Sequence, residues 1–426
     1  MIKINYKFPH FFVLCIWLLT LPGQVLAEDI MTWEDCVKEA LENHPDLISA
    51  KEELIQTRAD KNITQSGILP QISSSLSQRK SKTAGSSETN TYAYSVSGQQ
   101  LLFDGFKTTS NIKAAAKSLN AQEYNYMVTS SNIRLNLKAA FSSLLRAQEL
   151  ISLTEEIAKR RKENLELVLV RYEAGREHKG AVLTAKADLA QAEFEVAQAK
   201  RNLSLVQQEL TKELGRDKKS PIKVIGDFNI EGLDNVNPDC EELADNTPFL
   251  KELIAKKEVA RLNITAAKAE FFPQVYLSGS FGRSRSEWPP KEDAWSAGLS
   301  FSLPIFEGGS RFSQMKKARS QLVQAQANER SGRDGVIYTL EKNWKDFKDA
   351  EDFVSVKEKF LEAALERAKI ANTQYSSGLT TFDDWIIIEN NLVSAKKSYL
   401  DAKENLLVAE SYWIQAKGGT LEYVQK

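Results

Sequence analysis

The stretch Ala294-Trp295-Ser296-Ala297-Gly298-Leu299-Ser300-Phe301-Ser302-Leu303-Pro304-Ile305 alternates strictly. Trp295, Ala297, Leu299, Phe301, Leu303 and Ile305 fall on one side, with Ser296, Gly298, Ser300 and Ser302 on the other. A period of two with one apolar and one small, polar face predicts a β-strand. About 203 residues earlier the parity returns more weakly, with Tyr92, Tyr94, Val96 and Leu102 against Ser95, Ser97 and Gln99. A partner run precedes each strand: Pro70, Ile72 and Leu76 in one case, Pro273, Val275, Leu277 and Phe281 in the other. Polar loops, Arg79 to Thr91 and Arg283 to Asp293, join each pair, so hairpins are expected at about 68–103 and 271–306.

The offset is not confined to the strands. Asn43-His44-Pro45 aligns with Asn246-Thr247-Pro248, and Leu69-Pro70-Gln71 with Phe272-Pro273-Gln274. Leu102-Phe103-Asp104-Gly105 aligns with Ile305-Phe306-Glu307-Gly308, Arg171-Tyr172-x-x-Gly175 with Gln374-Tyr375-x-x-Gly378, and Leu214-Gly215 with Lys417-Gly418. Landmarks in one register without a net gap imply a duplicated unit. The expected organisation is a first repeat over 28–215, a connector over 216–238, a second repeat over 239–418 and a tail over 419–426.

Most of each repeat reads as helix. No Pro interrupts Asp104 to Glu173 or Gly308 to Ser377, and Ala, Leu, Lys, Glu and Gln dominate, so each run is long enough for roughly 100 Å of helix. After the Tyr-x-x-Gly break, Leu189, Ala192, Val196, Ala199, Leu203, Val206 and Leu210 step by threes and fours. Leu392, Ala395, Tyr399, Ala402, Leu406, Ala409 and Trp413 do the same in the second repeat. Both are coiled-coil seams, and their frequent Ala favours slender antiparallel packing.

Composition narrows the function. The 426 residues are 42% hydrophobic and 27% charged, and 56 basic side chains balance 57 acidic ones, which lacks the cationic footprint of a nucleic-acid binder. Cys15, Cys36 and Cys240 make no CxxC pair. Residues 1–27 carry Lys3 and Lys7, an apolar run from Phe11 to Leu21 and the Val25-Leu26-Ala27 exit, the pattern of a signal peptide cleaved before Glu28. No later segment reaches the length of about 20 apolar residues that a spanning helix needs.

Four strands with an apolar face cannot close a barrel, and membrane barrels start at eight strands because an open edge leaves backbone groups unpaired in hydrocarbon. Closure then has to come from other chains, with the Ser, Gly and Gln face lining a wet pore and the Trp, Leu, Phe and Tyr face meeting lipid. The signal peptide, the Asn-x-Pro starts, the Leu-Pro-Gln and Phe-Pro-Gln motifs, the Phe-Asp-Gly and Phe-Glu-Gly-Gly exits and the two Tyr-x-x-Gly turns together resemble the TolC-like outer membrane efflux protein family. The resemblance implies a mainly α protein with a membrane β-barrel part. Three protomers would each give four strands to one twelve-stranded outer-membrane barrel above a helical tunnel crossing the periplasm. It implies, as partners, a periplasmic adaptor, an inner-membrane transporter of the RND or ABC type and outer-membrane lipid, for export of small molecules or proteins.

The resemblance also marks sites. Phe103, Asp104 and Gly105, with Phe306, Glu307 and Gly308, would turn strand into helix; Tyr172, Gly175, Tyr375 and Gly378 would form the helix-turn tips. At the periplasmic gate, Asp384 stands where the family places a first ring Asp, whereas Ile387 replaces the second. Tyr375 matches a latching Tyr, and Thr380 stands where the family has Arg. The gate is therefore expected to rest on packing by Ile387 and its neighbours more than on charge pairs. Asp383 and Asp384 keep two readings open: a threefold carboxylate ring that favours cations, or caps of the helix that follows.

The remaining candidates carry no chemistry. His44 and His178 read as solvated turn residues, no nucleophile, phosphate-loop or dinucleotide motif is present, and neither cofactor nor enzymatic activity is expected. Cys36 and Cys240 occupy nearly equivalent positions and would meet an oxidising compartment, which leaves a disulfide between them open. Two rival readings are a periplasmic coiled-coil spacer and the adaptor itself; neither accounts for two apolar-faced hairpins repeated at one offset.

Overall fold

The computed structural model describes residues 29–82, 84–85, 87–217, 221–228 and 237–422. The signal-peptide segment 1–27, residues 218–220 and 229–236 of the connector and the end of the tail lie outside these residues. In chain order, β1 (Asp29–Met31), α1 (Trp33–Asn43) and α2 (Pro45–Ser66) lead to the hairpin β2 (Gln71–Ser81) and β3 (Thr89–Phe103), then to α3 (Lys107–Glu173) and α4 (Lys179–Glu213). After β4 (Ile222–Val224) come α5 (Cys240–Asn246), α6 (Pro248–Ala269), β5 (Gln274–Arg285), β6 (Glu292–Ser302), α7 (Ser310–Ser377) and α8 (Phe382–Ala416). At 67 and 68 residues, α3 and α7 each extend about 100 Å.

Local chemistry sets the boundaries. Pro45 and Pro248 occupy the first turns of α2 and α6, where a missing N–H costs nothing. Thr32 caps α1 through a reciprocal bond with Asp35. The tips end on left-handed glycines, Gly175 at φ 67° and Gly378 at φ 80°, which no side chain adopts without strain. His44 departs from the solvated turn expected of it: it is 7% exposed, and its Nδ1 accepts the Asp46 N–H to cap α2. His178 remains exposed and caps α4 by accepting from the Ala181 N–H.

The four long strands form one antiparallel sheet in the order β2-β3-β5-β6. Ile72, Leu76, Val96, Leu277, Phe281, Trp295, Leu299 and Phe301 share one face through the observed register, and all are strongly exposed. Serines occupy the other face, with hydroxyls 2.9 Å apart at Ser73–Ser97, Ser75–Ser95 and Ser280–Ser296. The strands run further into the polar loops than the alternation indicates, pairing Arg79 with Thr91 and Arg283 with Asp293, because hydrogen bonding does not require apolar side chains. β6 stops at Ser302, before Pro304, which has no donor to offer the ladder. A bulge between Leu101 and Phe103 removes Leu102 from the register and sets Phe103 opposite Val275.

The helices pack as antiparallel pairs, α3 with α4 and α7 with α8, while α3 also lies along α2, α6 and α8. Along α4, Ala192, Ala199, Val206 and Leu210 are buried, as are Leu392, Ala402, Leu406 and Trp413 of α8. The core is correspondingly distributed: one cluster surrounds Leu137, Leu144 and Leu210, a second lies at the helix tips, and a third gathers Leu340, Phe347 and Trp413. Cys36 is buried in the first cluster and Cys240 borders the third; both are free thiols. Among the described residues no helix is long and apolar enough to cross a membrane.

Candidate functional site

The two tips, α3–α4 and α7–α8, meet around Tyr375. Its ring is fully buried and stacks on Trp385 at 4.2 Å with an interplanar angle of 7°, while Phe382 meets both rings edge-on. Arg171, near the end of α3, lies 4.5 Å over the same ring and donates to the Tyr375 carbonyl at 2.6 Å. The Tyr375 hydroxyl donates to Glu177 Oε2 at 2.9 Å. Burial, then the bond to the Glu177 carboxylate, pushes the phenol above its ordinary range, so it stays a proton donor.

Tyr375 is therefore held within its own tip by an aromatic stack and joined to the neighbouring tip by a cation and a charged hydrogen bond. The motif is not symmetric between repeats: Tyr172 and Gly175 are exposed, and Tyr172 is 42% so. The sequence reading named Tyr375 but missed Arg171, Glu177 and Trp385. A signal for Arg171 was present, because it precedes Tyr172 where the second repeat has Gln374. Contact with the other tip could not be read from that difference.

Helix capping falls to neither Asp383 nor Asp384. Thr381 caps α8, accepting the Asp384 N–H at 3.1 Å and donating its hydroxyl to Asp384 Oδ2 at 2.7 Å. Asp384 thus supports the cap from the third helical position; both carboxylates are exposed. Ile387 is 56% exposed, so the packing expected of it is not made within one chain. Phe382 and Trp385, pointing inward from the same turn, supply that packing.

Above the tip, charged contacts tie α3 to α8. Arg160 grips Glu389 through Nε at 2.6 Å and Nη2 at 2.7 Å, and Asn164 adds a bond at 3.3 Å. Glu389 is 1% exposed. Arg161 bonds Asn390, Lys396 bonds Glu156 at 2.5 Å, and Arg146 bridges Asp401 and Glu404 higher up.

The elbows use different devices. Past the bulge, Asp104 accepts from the Thr108 N–H at 2.8 Å and hydroxyl at 2.6 Å, fixing the start of α3. Gly105 has φ 67°, and a Cβ there would lie 2.6 Å from Phe272 Cβ and 2.8 Å from the Ala269 carbonyl oxygen. Gly308 has φ 59° in open space; Glu307 pairs with Arg311 at 3.0 Å, and Phe306 is 86% exposed. Phe106 holds φ 70° where the second repeat has Gly309 at φ 83°.

A strand sheet with an apolar outer face, a hydroxyl-lined inner face and two edges left unpaired among the described residues, standing on helices of this length, defines a protomer of an outer-membrane channel with a periplasmic tunnel. The family model described as "Outer membrane efflux protein" matches residues 36–216 and 240–419, and the chain belongs to that family. Among curated proteins it is similar to the outer membrane efflux protein BepC of Brucella suis biovar 1, with 21% identity covering 93% of this chain and 87% of that protein. It is also similar to the outer membrane protein TolC of Escherichia coli K12, with 22% identity covering 82% of this chain and 74% of that protein. The solved structure of the outer membrane protein VceC from Vibrio cholerae matches with TM-score 0.79 and 19% identity, covering 91% of this chain and 96% of that one. The protein is an outer-membrane exit duct extending into the periplasm. The spacer and adaptor readings are set aside, since the family match runs through both repeats.

Proposed function

We propose that three copies of this chain close a twelve-stranded barrel and a continuous helical tunnel, which a periplasmic adaptor joins to an inner-membrane transporter of the RND or ABC type. Small molecules or proteins leave through it, and the chain itself performs no chemistry on them. The observation that carries this reading is the sheet with both edges, β2 and β6, unpaired and its apolar face exposed. Such edges in hydrocarbon leave backbone donors and acceptors unsatisfied unless further strands pair with them.

The gate lies at the periplasmic tips. Tyr375 latches α7–α8 to α3–α4 through Arg171 and Glu177, taking the place of the charge pair that Thr380 cannot make. Asp383 and Asp384, exposed beside the latch, form a threefold carboxylate ring that draws cations. The barrel wall adds little selectivity of its own, being lined mainly by serine hydroxyls. Single-channel conductance of detergent-purified protein in a planar bilayer tests both parts. A small, cation-preferring conductance that loses its preference in Asp383→Ala/Asp384→Ala supports duct and ring together. Unchanged selectivity removes the ring and keeps the duct, and protein that forms no channels sinks the duct.

A further inference from the structure

The two free edges of the sheet carry enough information to specify how they meet. β2 and β6 each have 11 residues, both are exposed throughout, and they run in opposite directions. Resting on the reading that three copies close one barrel, we propose that β2 pairs antiparallel with β6 of the partner subunit over its full length, Gln71 opposite Ser302 and Ser81 opposite Glu292.

Three constraints select this register. The first is the parity of the faces. Ile72, Leu76 and Lys80 point outward from β2, and Asp293, Trp295, Leu299 and Phe301 point outward from β6. Even positions of β2 must therefore oppose odd positions of β6, because a slip of one residue turns a whole strand inside out. Full overlap satisfies this. It also continues the serine face across the seam, with Ser73 opposite Ser300 and Ser77 opposite Ser296.

The second constraint is charge. Full overlap sets Lys80 opposite Asp293 of the partner subunit, a favourable cross-strand pair. Within one chain Lys80 already pairs with Glu88 at 3.0 Å, and Asp293 with Arg283. The seam then completes an alternating row at the outer rim: Glu88, Lys80, the partner subunit's Asp293 and the partner subunit's Arg283. A register two residues further would put Lys80 against Trp295 and leave Ile72 opposite Leu303, beyond the end of β6.

The third constraint is closure. Ile72, Gly98, Gly279 and Ala297 form one row across the sheet. In the proposed seam Ala297 meets Leu76, an advance of 76 − 72 = 4 residues per copy and about 12 for three copies. With about 3.3 Å per residue and about 4.8 Å between strands, twelve strands then tilt by about 35°, inside the range of closed barrels. The register two residues short gives about 19°, too upright for a closed barrel, and the one two residues further gives about 46°, at the upper end of the range, so closure excludes the first while the charge pairing and the overlap decide against the second.

Cysteine pairs on the wet face read the register directly, since residues directly opposite on adjacent strands have Cα separations that a disulfide spans. Full-length protein carrying Ser77→Cys/Ser296→Cys is expected to shift, on oxidation, from the single-chain to a covalent three-chain species in non-reducing electrophoresis. Either single substitution should not, which controls for the native cysteines. Ser73→Cys/Ser300→Cys reports the same register and stands in if the first pair fails to assemble. Ser75→Cys/Ser300→Cys reports the register two residues further. Linking there, or at none of these pairs in protein whose native mass is that of a trimer, overturns the seam but leaves the duct intact. Wild-type protein that is not trimeric by native mass overturns the duct reading and the seam with it.

Discussion

Gly105 and Gly308 stand at matching elbows, yet a methyl group would not cost the same at both. At Gly105 it meets the Phe272 side chain and the Ala269 carbonyl oxygen as well as a left-handed backbone; at Gly308 only the backbone objects. Gly105→Ala is expected to destabilise the protein by about 3 kcal/mol and Gly308→Ala by about 1 kcal/mol, measured by thermal unfolding. Equal costs would mean that the Phe272 contact gives way freely. The cysteines divide in a similar manner. Burial, then the neighbouring Glu39 and Asp35, pushes the Cys36 thiol up to about 12, while Cys240 is raised chiefly by burial yet only half-enclosed. Maleimide at pH 8 should therefore label Cys240 and spare Cys36, as read by peptide mass. The folded thiol of Cys36 holds its proton above the ordinary value of 9.0, so its contribution to stability is complete below pH 9 and fades as pH rises toward 12. Neither difference was legible in the sequence, where the paired residues look alike.

Helices and strands were more legible than their contacts. Strict alternation in β6 and unbroken Ala- and Leu-rich runs in α3 and α7 announce the elements, because backbone periodicity decides which side chains share a face. Which helix meets which is another matter. Nothing in the spacing of charges around Arg160 on α3 points to a partner, yet Arg160 holds the buried carboxylate of Glu389 on α8, 229 residues away. Arg160→Ala would strand that carboxylate at a cost of about 3 kcal/mol, and Arg160→Ala/Glu389→Leu should recover most of it, since the unpaired charge is the source of the penalty. Urea unfolding followed by far-UV circular dichroism checks the pair. A double variant as unstable as the single one would place the cost elsewhere.

For the assembled channel, the latch predicts a functional phenotype. Arg171→Ala removes both the cation over Tyr375 and the bond to its carbonyl, and should shift the closed-to-open ratio of the tip by about tenfold or more. Tyr375→Phe keeps the stack on Trp385 and loses only the bond to Glu177, so its effect should be smaller. Open probability in planar bilayers ranks the two, and the reverse order would assign closure to the hydroxyl. Asp383 and Asp384 are left in place, so cation preference should survive both changes.

The duplicated layout, the two-faced strands, the long helices and the need for other chains to close the sheet are all written in the order of residues. All of these follow from patterns repeated along the chain, where neighbouring positions constrain one another. The folded chain was needed to show that Arg171 and Glu177 serve Tyr375, that Thr381 rather than an Asp caps α8, and that Ile387 is left exposed. It also placed a bulge at Leu102 and an ion pair at Glu389. These contacts join residues up to 229 positions apart, or turn on a single backbone angle. Periodicity fixes the face a side chain occupies, but its partner depends on how the second repeat folds back against the first.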